Sequence, residues 1–151
     1  MIDDTLSSLG ITLPTPPAPA GSYLPVVVSG KLAFVSGQIP MEGGQIKFEG
    51  KVGKDLSIQE GQEAARLCII NALAQVKAAI GSLDHIARIV KVTGFVNCEA
   101  TFVEHPKVIN GASDLLVKIF GEKGRHARAA VGMSSLPLDS AVEVELIAEL
   151  T

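Results

Sequence analysis

The stretch from Arg125 to Leu150 has the sequence RHARAAVGMSSLPLDSAVEVELIAEL. Its alternation predicts two strands joined by a turn, because side chains two residues apart share one face of a strand. On the first strand Arg128 shares its face with small residues, and a guanidinium in such a hollow suits a carboxylate or a phosphate. The second strand alternates valines and leucines with Glu143, Glu145 and Glu149, so one face is core and the other is mostly acidic.

A turn over Ser135 to Ser140 would make these strands a hairpin in which Arg128 lies opposite Ile147. Arg128 and Glu143 would then be roughly 13 Å apart along the hairpin, at about 3.3 Å per residue. We therefore predict that they are not an ion pair within one hairpin. If they share a site, another chain or element must fold over it.

The remaining elements are predicted by caps and periodicity. Ser57 and Glu60 form a capping-box pattern that starts a helix ending at Gly81, and a second helix runs from near Glu104 or Pro106 to Gly121. Between them Ile86 to Asn97 is predicted to be a strand, with Val90, Val92 and Val96 on one face and Ile89, Lys91, Thr93 and Phe95 on the other.

The first strands flank a turn dipeptide. Tyr23 to Val28 and Lys31 to Val35 are predicted to pair around Ser29 and Gly30. Residues 1–22 contain a short helix-like piece followed by a proline-rich segment, and we expect an extended, solvated arm. Residues 23–151 then form a single domain of α+β class, with element order ββαβαββ. Each helix has one apolar stripe, so both are expected on one face of a mixed sheet.

Bulk composition limits the classes of function that the chain can have. The 151 residues are 47% hydrophobic and 19% charged, with a net charge of −3, which is typical of a compact protein with apolar surface to bury in an oligomer. The charge balance gives no electrostatic footprint for nucleic acid or an anionic membrane. No secretory leader or apolar membrane span is present in the sequence, so a cytoplasmic location is expected. Cys68 and Cys98 lack metal-site spacing and are predicted to be buried free thiols.

Two sequence blocks resemble a known family. The pattern Ala127-Arg128-x-x-Val131, then Leu136-Pro137, then Val142-Glu143-Val144-Glu145-x-Ile147-Ala148, is similar to the C-terminal signature of the YjgF/RidA family, the enamine and imine deaminases. Ser36-Gly37-Gln38-Ile39-Pro40 resembles its N-terminal signature. The resemblance extends from about Gly21 to Leu150. It implies a chorismate-mutase-like fold, a homotrimer and ligand clefts between subunits.

The same resemblance suggests roles for individual residues. Arg128 matches the arginine that binds the substrate carboxylate, and Glu143 matches the glutamate that handles water. The surrounding positions that match cleft or ligand-contacting residues are Tyr23, Ser36, Gly37, Asn110 and Ala130. From the residues alone, each has an ordinary alternative: a surface ion pair for Arg128, a solvated strand carboxylate for Glu143, and packing, turn or solvent-facing roles for the others.

The implied reaction is hydrolysis of a 2-imino acid to a 2-oxo acid and ammonia, without a metal or an organic cofactor. Two residues depart from the family's pattern and bear on the substrate range: Ala130 stands where many members have cysteine, and His126 stands where proline is common. A carboxylate-binding or chaperone-like trimer without catalysis is one alternative. An endoribonuclease or translation inhibitor is another, although the negative net charge and the lack of paired histidines count against it.

Overall fold

The computed structural model describes residues 1–18 and 21–151, which form three α-helices and seven β-strands. In chain order these are α1 (Ile2–Ser8), β1 (Val26–Ser29), β2 (Leu32–Gln38), β3 (Met41–Glu42), β4 (Gln45–Ile46), α2 (Ile58–Ile80), β5 (Ile86–Asn97), α3 (His105–Phe120), β6 (Ala127–Met133) and β7 (Val142–Leu150).

The main sheet has five strands in the order β1-β2-β7-β5-β6, and β3 pairs with β4 in a separate two-stranded ribbon. Strand β6 is parallel to β5, while the other pairs of the main sheet are antiparallel. A parallel pair needs a long crossover connection, and α3 supplies it between β5 and β6. The prediction of an α+β fold with a mixed sheet is confirmed.

The predicted hairpin of β6 and β7 is wrong. Strand β5 lies between them and pairs with both, so that Val92 is opposite Arg128 on one side and Leu146 on the other. The segment from Ser134 to Ala141 therefore crosses over β5 instead of forming a tight turn, and it contains a helical turn at Pro137–Asp139. Alternation identified the strands correctly, but it carries no information about which strand is the neighbour.

The two long helices follow the predicted caps. Ser57 Oγ accepts a hydrogen bond from the Glu60 amide at 3.1 Å, and Glu60 Oε1 accepts one from the Ser57 amide at 3.1 Å. Helix α2 ends before Gly81 and α3 ends before Gly121. The predicted stripe of α3 is buried throughout, at Val108, Ala112, Leu115, Leu116 and Ile119.

Both helices cover one face of the sheet. Helix α2 contacts β1, β2 and β7, and α3 contacts β5 and β6. The sheet residues of this core are Ala33, Val35, Ile89, Val92, Val96, Val142, Val144, Leu146 and Ala148. On the other face Phe34 and Val131 remain 42% and 39% exposed. That face has no covering layer among the described residues.

One strand face was assigned incorrectly. Ile89 is fully buried and Val90 only partly, although the alternation places Val90 with Val92. The pairing of β5 with β7 shifts register between Ile89 and Lys91. A bulge of this kind inserts one residue, so Ile89 and Val92 come to the same side.

The N-terminal segment is not a solvated arm over its first eleven residues. Leu6 of α1 and Ile11 are 3% and 7% exposed and join the core. The Ile2 amide also donates to Asp84 Oδ1 at 2.9 Å, which ties α1 to the start of β5. The proline-rich piece follows, and its last residues, Pro19 and Ala20, lie outside the described residues. Within the part that the structure describes, no helix is long and apolar enough to cross a membrane.

The cysteine prediction is confirmed. Cys68 and Cys98 are both buried and both free. Cys68 Sγ contacts the Val142 carbonyl at 3.7 Å, and burial is the first cause of the raised pKa of its thiol. Cys98 follows β5 and contacts His105 Nε2 at 3.5 Å.

Candidate functional site

The predicted site residues form two groups in the chain. The first, which we call the arginine region, consists of Arg128 and His126 beside Asn110 and Ser113 of α3. Arg128 lies on the helix-facing side of β6, and its Nη1 donates to Asn110 Oδ1 at 2.8 Å and to Ser113 Oγ at 3.2 Å. Asn110 and Ser113 are one helical turn apart, so both reach the same guanidinium.

Arg128 does not form the surface ion pair that composition alone favours. Among the described residues, no carboxylate lies within salt-bridge distance of it. Ala130 follows two residues later on the same side of β6 and is half-buried. The guanidinium is thus exposed to solvent, held by two neutral oxygens and flanked by a small side chain. This environment leaves its charge available to an anion.

The second group, the glutamate region, consists of Tyr23, Gly37 and Glu143. Glu143 is the second residue of β7, and its carboxyl group lies directly over Gly37 of β2. A Cβ atom at Gly37 would be 2.9 Å from Glu143 Cδ and 3.1 Å from its Oε2. The absence of a side chain at Gly37 therefore makes room for the Glu143 carboxylate.

A cleft of about 1010 Å³ opens at the glutamate region. Tyr23, Gly37 and Glu143 line it together with residues of α2 and of the N-terminal segment. Gly43 and Gly44 also line it, so the loop between β3 and β4 does shape this cleft. Tyr23 is 65% exposed, and its ring is accessible to a ligand or to a second subunit.

The electrostatics of Glu143 differ from those of an ordinary surface carboxylate. Burial raises its pKa, and the neighbouring Glu145 carboxylate raises it further because two like charges repel. Among the described residues, no hydrogen-bond donor satisfies its carboxylate. A carboxylate with a raised pKa binds a proton more readily, which suits it to accept a proton from water.

Ser36 has a structural role. Its Oγ donates to the Leu24 carbonyl at 2.7 Å, and its amide donates to the Pro25 carbonyl at 2.9 Å. These bonds fix the segment that carries Tyr23. Ser36 thus lies beside the glutamate region, but its hydroxyl hydrogen is already committed.

The two regions are separate within one chain. Arg128 is level with Val92 of β5, and Glu143 is level with Phe95 on the other side of β5. Two strand spacings and three residues put their Cα atoms roughly 14 Å apart. The alternation of β7 also directs Glu143 away from the helix-facing side on which Arg128 lies. One chain alone does not bring the two side chains together.

Sequence reasoning missed Ser113 and the partners of His126. His126 Nε2 lies 2.9 Å from Ser113 Oγ, and its Nδ1 lies 2.6 Å from the Gly124 carbonyl. The three-residue spacing of Asn110 and Ser113 was a possible signal. Its relevance depends on α3 packing against β6, however, and that packing is a property of the fold. For residues 1–18 and 21–151, no group of three or more His, Cys, Asp or Glu side chains is arranged to hold a metal ion.

Comparison with known proteins agrees with this architecture. The profile of the family described as "YjgF/chorismate mutase-like, putative endoribonuclease" matches residues 3–150. The chain belongs to this family. The match includes α1, which accords with the burial of Leu6 in the common core.

Three relatives illustrate the range of the YjgF family around this chain. Protein TCP17 of Trypanosoma cruzi is 47% identical over 146 residues, which are 96% of this chain and 91% of that protein. The crystal structure of Atu1372 from Agrobacterium tumefaciens, a protein of unknown function, is 50% identical with a TM-score of 0.93, covering 99% of this chain and 92% of that one. TdcF of E. coli, solved with bound serine, is 28% identical with a TM-score of 0.63, covering 91% and 94%.

Proposed function

We propose that this protein hydrolyses 2-imino acids to 2-oxo acids and ammonia, in clefts formed between the subunits of a homotrimer. The observation that carries the proposal is the state of Arg128: an exposed guanidinium held by Asn110 and Ser113 and left without a carboxylate partner among the described residues. A preformed cation of this kind matches the carboxylate of a small acid. The bound serine of TdcF supports the same ligand class, because serine has a carboxylate next to a nitrogen-bearing carbon.

The trimer brings the two regions together. The separation of Arg128 from Glu143 within one chain means that a shared site needs the Glu143 of a second copy. The sheet face that carries Phe34 and Val131 leaves both side chains partly exposed and has no covering layer among the described residues, and burial of these apolar groups against other copies would favour association. Each cleft would then combine the arginine region of one subunit with the glutamate region of the next.

The chemistry follows from these positions. Arg128 binds the substrate carboxylate and orients the imine carbon. Glu143 positions a water molecule and accepts its proton as the oxygen adds to that carbon, and the carbon–nitrogen double bond becomes a single bond. Glu143 then gives this proton to the nitrogen. As ammonia leaves, Glu143 accepts the remaining hydroxyl proton while the carbon–oxygen double bond forms, and the 2-oxo acid remains. Orientation is the main contribution of the protein, since a protonated imine is already electrophilic.

The test is the decay of imines generated by an amino-acid oxidase or by a pyridoxal-phosphate lyase acting on serine. We expect the protein to accelerate this decay. Arg128→Ala should lower kcat/KM by about 10- to 100-fold, because hydrogen bonds to a charged group contribute about 1.5–3 kcal/mol. Arg125→Ala is the matched control, since this nearby arginine is exposed and lies 3.6 Å from Glu122.

A second matched pair tests the water-handling role. Glu143→Gln should reduce kcat strongly, whereas Glu145→Gln, on an exposed neighbouring carboxylate, should have a much smaller effect. If the folded wild-type protein accelerates no imine decay but still binds small 2-oxo acids through Arg128, the protein is a carboxylate-binding oligomer without catalysis.

An RNA-cleaving activity has less support from the site. His126 contacts Ser113 and Gly124, and His105 contacts Cys98. These contacts do not join the two histidines into the acid–base pair that RNA cleavage would use. Burial lowers the pKa of His126, and the Arg128 charge lowers it further. A neutral histidine adds no positive charge for binding phosphates.

A further inference from the structure

A directed chain of hydrogen bonds leads from the backbone to Arg128. The Gly124 carbonyl contacts His126 Nδ1 at 2.6 Å, His126 Nε2 contacts Ser113 Oγ at 2.9 Å, and Ser113 Oγ contacts Arg128 Nη1 at 3.2 Å. The starting point is rigid, because Gly124 is buried and a Cβ atom there would collide with the Leu116 carbonyl of α3.

The chemistry of the partners fixes the direction of each bond. A carbonyl oxygen only accepts, so His126 Nδ1 carries the proton and donates to Gly124. In the neutral ring Nε2 is then an acceptor, and the Ser113 hydroxyl must donate to it. The lone pairs of Ser113 Oγ remain for a donor, and Arg128 Nη1 supplies one. Burial of His126 lowers its pKa and favours the neutral ring that this arrangement requires.

The chain determines which edge of Arg128 is free. Nη1 carries two hydrogens, and the two bonds to Asn110 and Ser113 use both of them. Among the described residues, Nε and Nη2 of Arg128 form no hydrogen bond. The Nε and Nη2 hydrogens are parallel and match the two oxygens of a carboxylate.

We infer that Ser113 and His126 are positioning residues, which lock Arg128 Nη1 so that the Nε and Nη2 edge is presented to the substrate carboxylate. This inference rests on the proposed function of Arg128 as the carboxylate-binding residue. It also gives a role to His126, which stands where proline is common in the family. A proline at this position has no side-chain hydrogen-bonding atom that could hold Ser113.

The first experiment observes Arg128 directly. In the wild-type protein, side-chain ¹⁵N NMR should show separate, slowly exchanging Nη signals for Arg128, because two bonds hinder rotation of its guanidinium. In Ser113→Ala and His126→Phe, these signals should merge into one averaged signal. Ser113→Thr keeps the hydroxyl group and should keep the separate signals. His85→Phe, on an exposed histidine, is the control. Unchanged Arg128 signals in Ser113→Ala would overturn the inference.

The second experiment measures the consequence for binding. In Ser113→Ala and His126→Phe, the Kd of 2-oxobutanoate and the KM for imino acids should rise by about 3- to 10-fold, the value of one neutral hydrogen bond. The kcat should stay within about twofold, since Glu143 is untouched. Binding of 2-oxobutanamide, which has no carboxylate, should not change. A fall in kcat at constant KM would contradict the positioning role.

The two proposals fail in different ways. If the wild-type protein binds no 2-oxobutanoate while the Arg128 signals are still slow and sensitive to Ser113, the proposed function is wrong, and the lock on Arg128 does not serve a carboxylate. If 2-oxobutanoate binds through Arg128 but Ser113→Ala binds it equally well, the function stands and the positioning role is wrong. Thermal melting of each variant confirms that it is folded.

Discussion

The arginine region and the glutamate region differ in whether their polar side chains have hydrogen-bond partners in the same chain. In the arginine region every polar side chain has a partner in its own chain: Asn110 and Ser113 hold Arg128, and His126 holds Ser113. In the glutamate region Glu143 has no such partner among the described residues, and burial raises its pKa. The first region is organised before a ligand arrives, as recognition of a fixed carboxylate requires. The second keeps an unsatisfied carboxyl group beside a cleft, as handling of a mobile water requires.

The largest expected effect comes from placing the defects of the two regions on different chains. Arg128→Ala and Glu143→Gln should each keep at most about a tenth of wild-type activity alone. Co-refolded in equal amounts, they should recover about a quarter of wild-type activity, because in a ring each site takes Arg128 from one copy and Glu143 from its neighbour. The measurement is imine decay before and after mixing.

Controls make this experiment decisive. Each variant refolded by itself should keep its low activity, and light scattering should give the same mass for mixed and wild-type samples. No recovery in a mixture of correct mass would mean that each site is complete within one chain, and the intersubunit proposal would fail.

The next largest effect is expected within the glutamate region, from crowding at Gly37. In Gly37→Ala the new methyl group would lie 2.9 Å from Glu143 Cδ, so the carboxyl group must move. The chain should still fold, because the displaced atoms are the end of a flexible side chain. We expect a loss of roughly 10- to 100-fold in kcat with little change in 2-oxobutanoate binding, since small misplacements of a catalytic group cost that much.

Gly132→Ala is the matched control for crowding. A Cβ atom at Gly132 would lie 2.5 Å from His105 Nε2 and 2.8 Å from Cys98 Sγ, so this substitution also displaces side chains, but away from Glu143. It should lower the melting temperature but leave kcat nearly unchanged. Equal losses of kcat in both variants would show that crowding alone, and not the position of Glu143, limits the reaction.

The contrast between local and long-range information explains what the sequence could predict. The capping box at Ser57 and the apolar stripe of α3 depend on neighbours within a few residues, and both predictions are confirmed. The pairing of β6 depends on distant strands, and there the hairpin prediction failed. A strand, a helix and a strand in succession are typical of a parallel pair. That rule, applied to β5, α3 and β6, predicts the parallel pair of β5 and β6.

The candidate site divides in the same way. Arg128, Asn110, Gly37 and Glu143 were identified from short motifs of a resembling family, and the structure groups them in two pairs. Ser113 and the partners of His126 were not predicted from the sequence because no motif contains them. Their hydrogen bonds exist only because α3 lies against β6 and Gly124 is packed against Leu116. Residues that act through another residue are visible only in three dimensions.

The smallest expected effect concerns pH and stability in the glutamate region. The pKa of Glu143 is raised from 4.5, first by burial and then by Glu145, so the folded protein holds this proton to a higher pH than the unfolded chain does. The stability contributed by the protonated carboxyl group is complete below pH 4.5 and is lost as the pH rises through the folded-state pKa. Glu143→Gln stays neutral and avoids this loss.

Glu143→Gln should therefore be more stable than the wild type at pH 7 and equally stable at pH 4. The gain should be below about 1 kcal/mol, because the carboxyl group is only half-buried and water screens its charge. Such a gain corresponds to at most about 2–4 °C in Tm, measured by thermal melting at both pH values. Glu145→Gln should give part of the same gain by removing the like charge. A loss of stability in Glu143→Gln at pH 7 would mean instead that the carboxylate is already paired, as the side chains of the arginine region are, and the difference between the two regions would disappear.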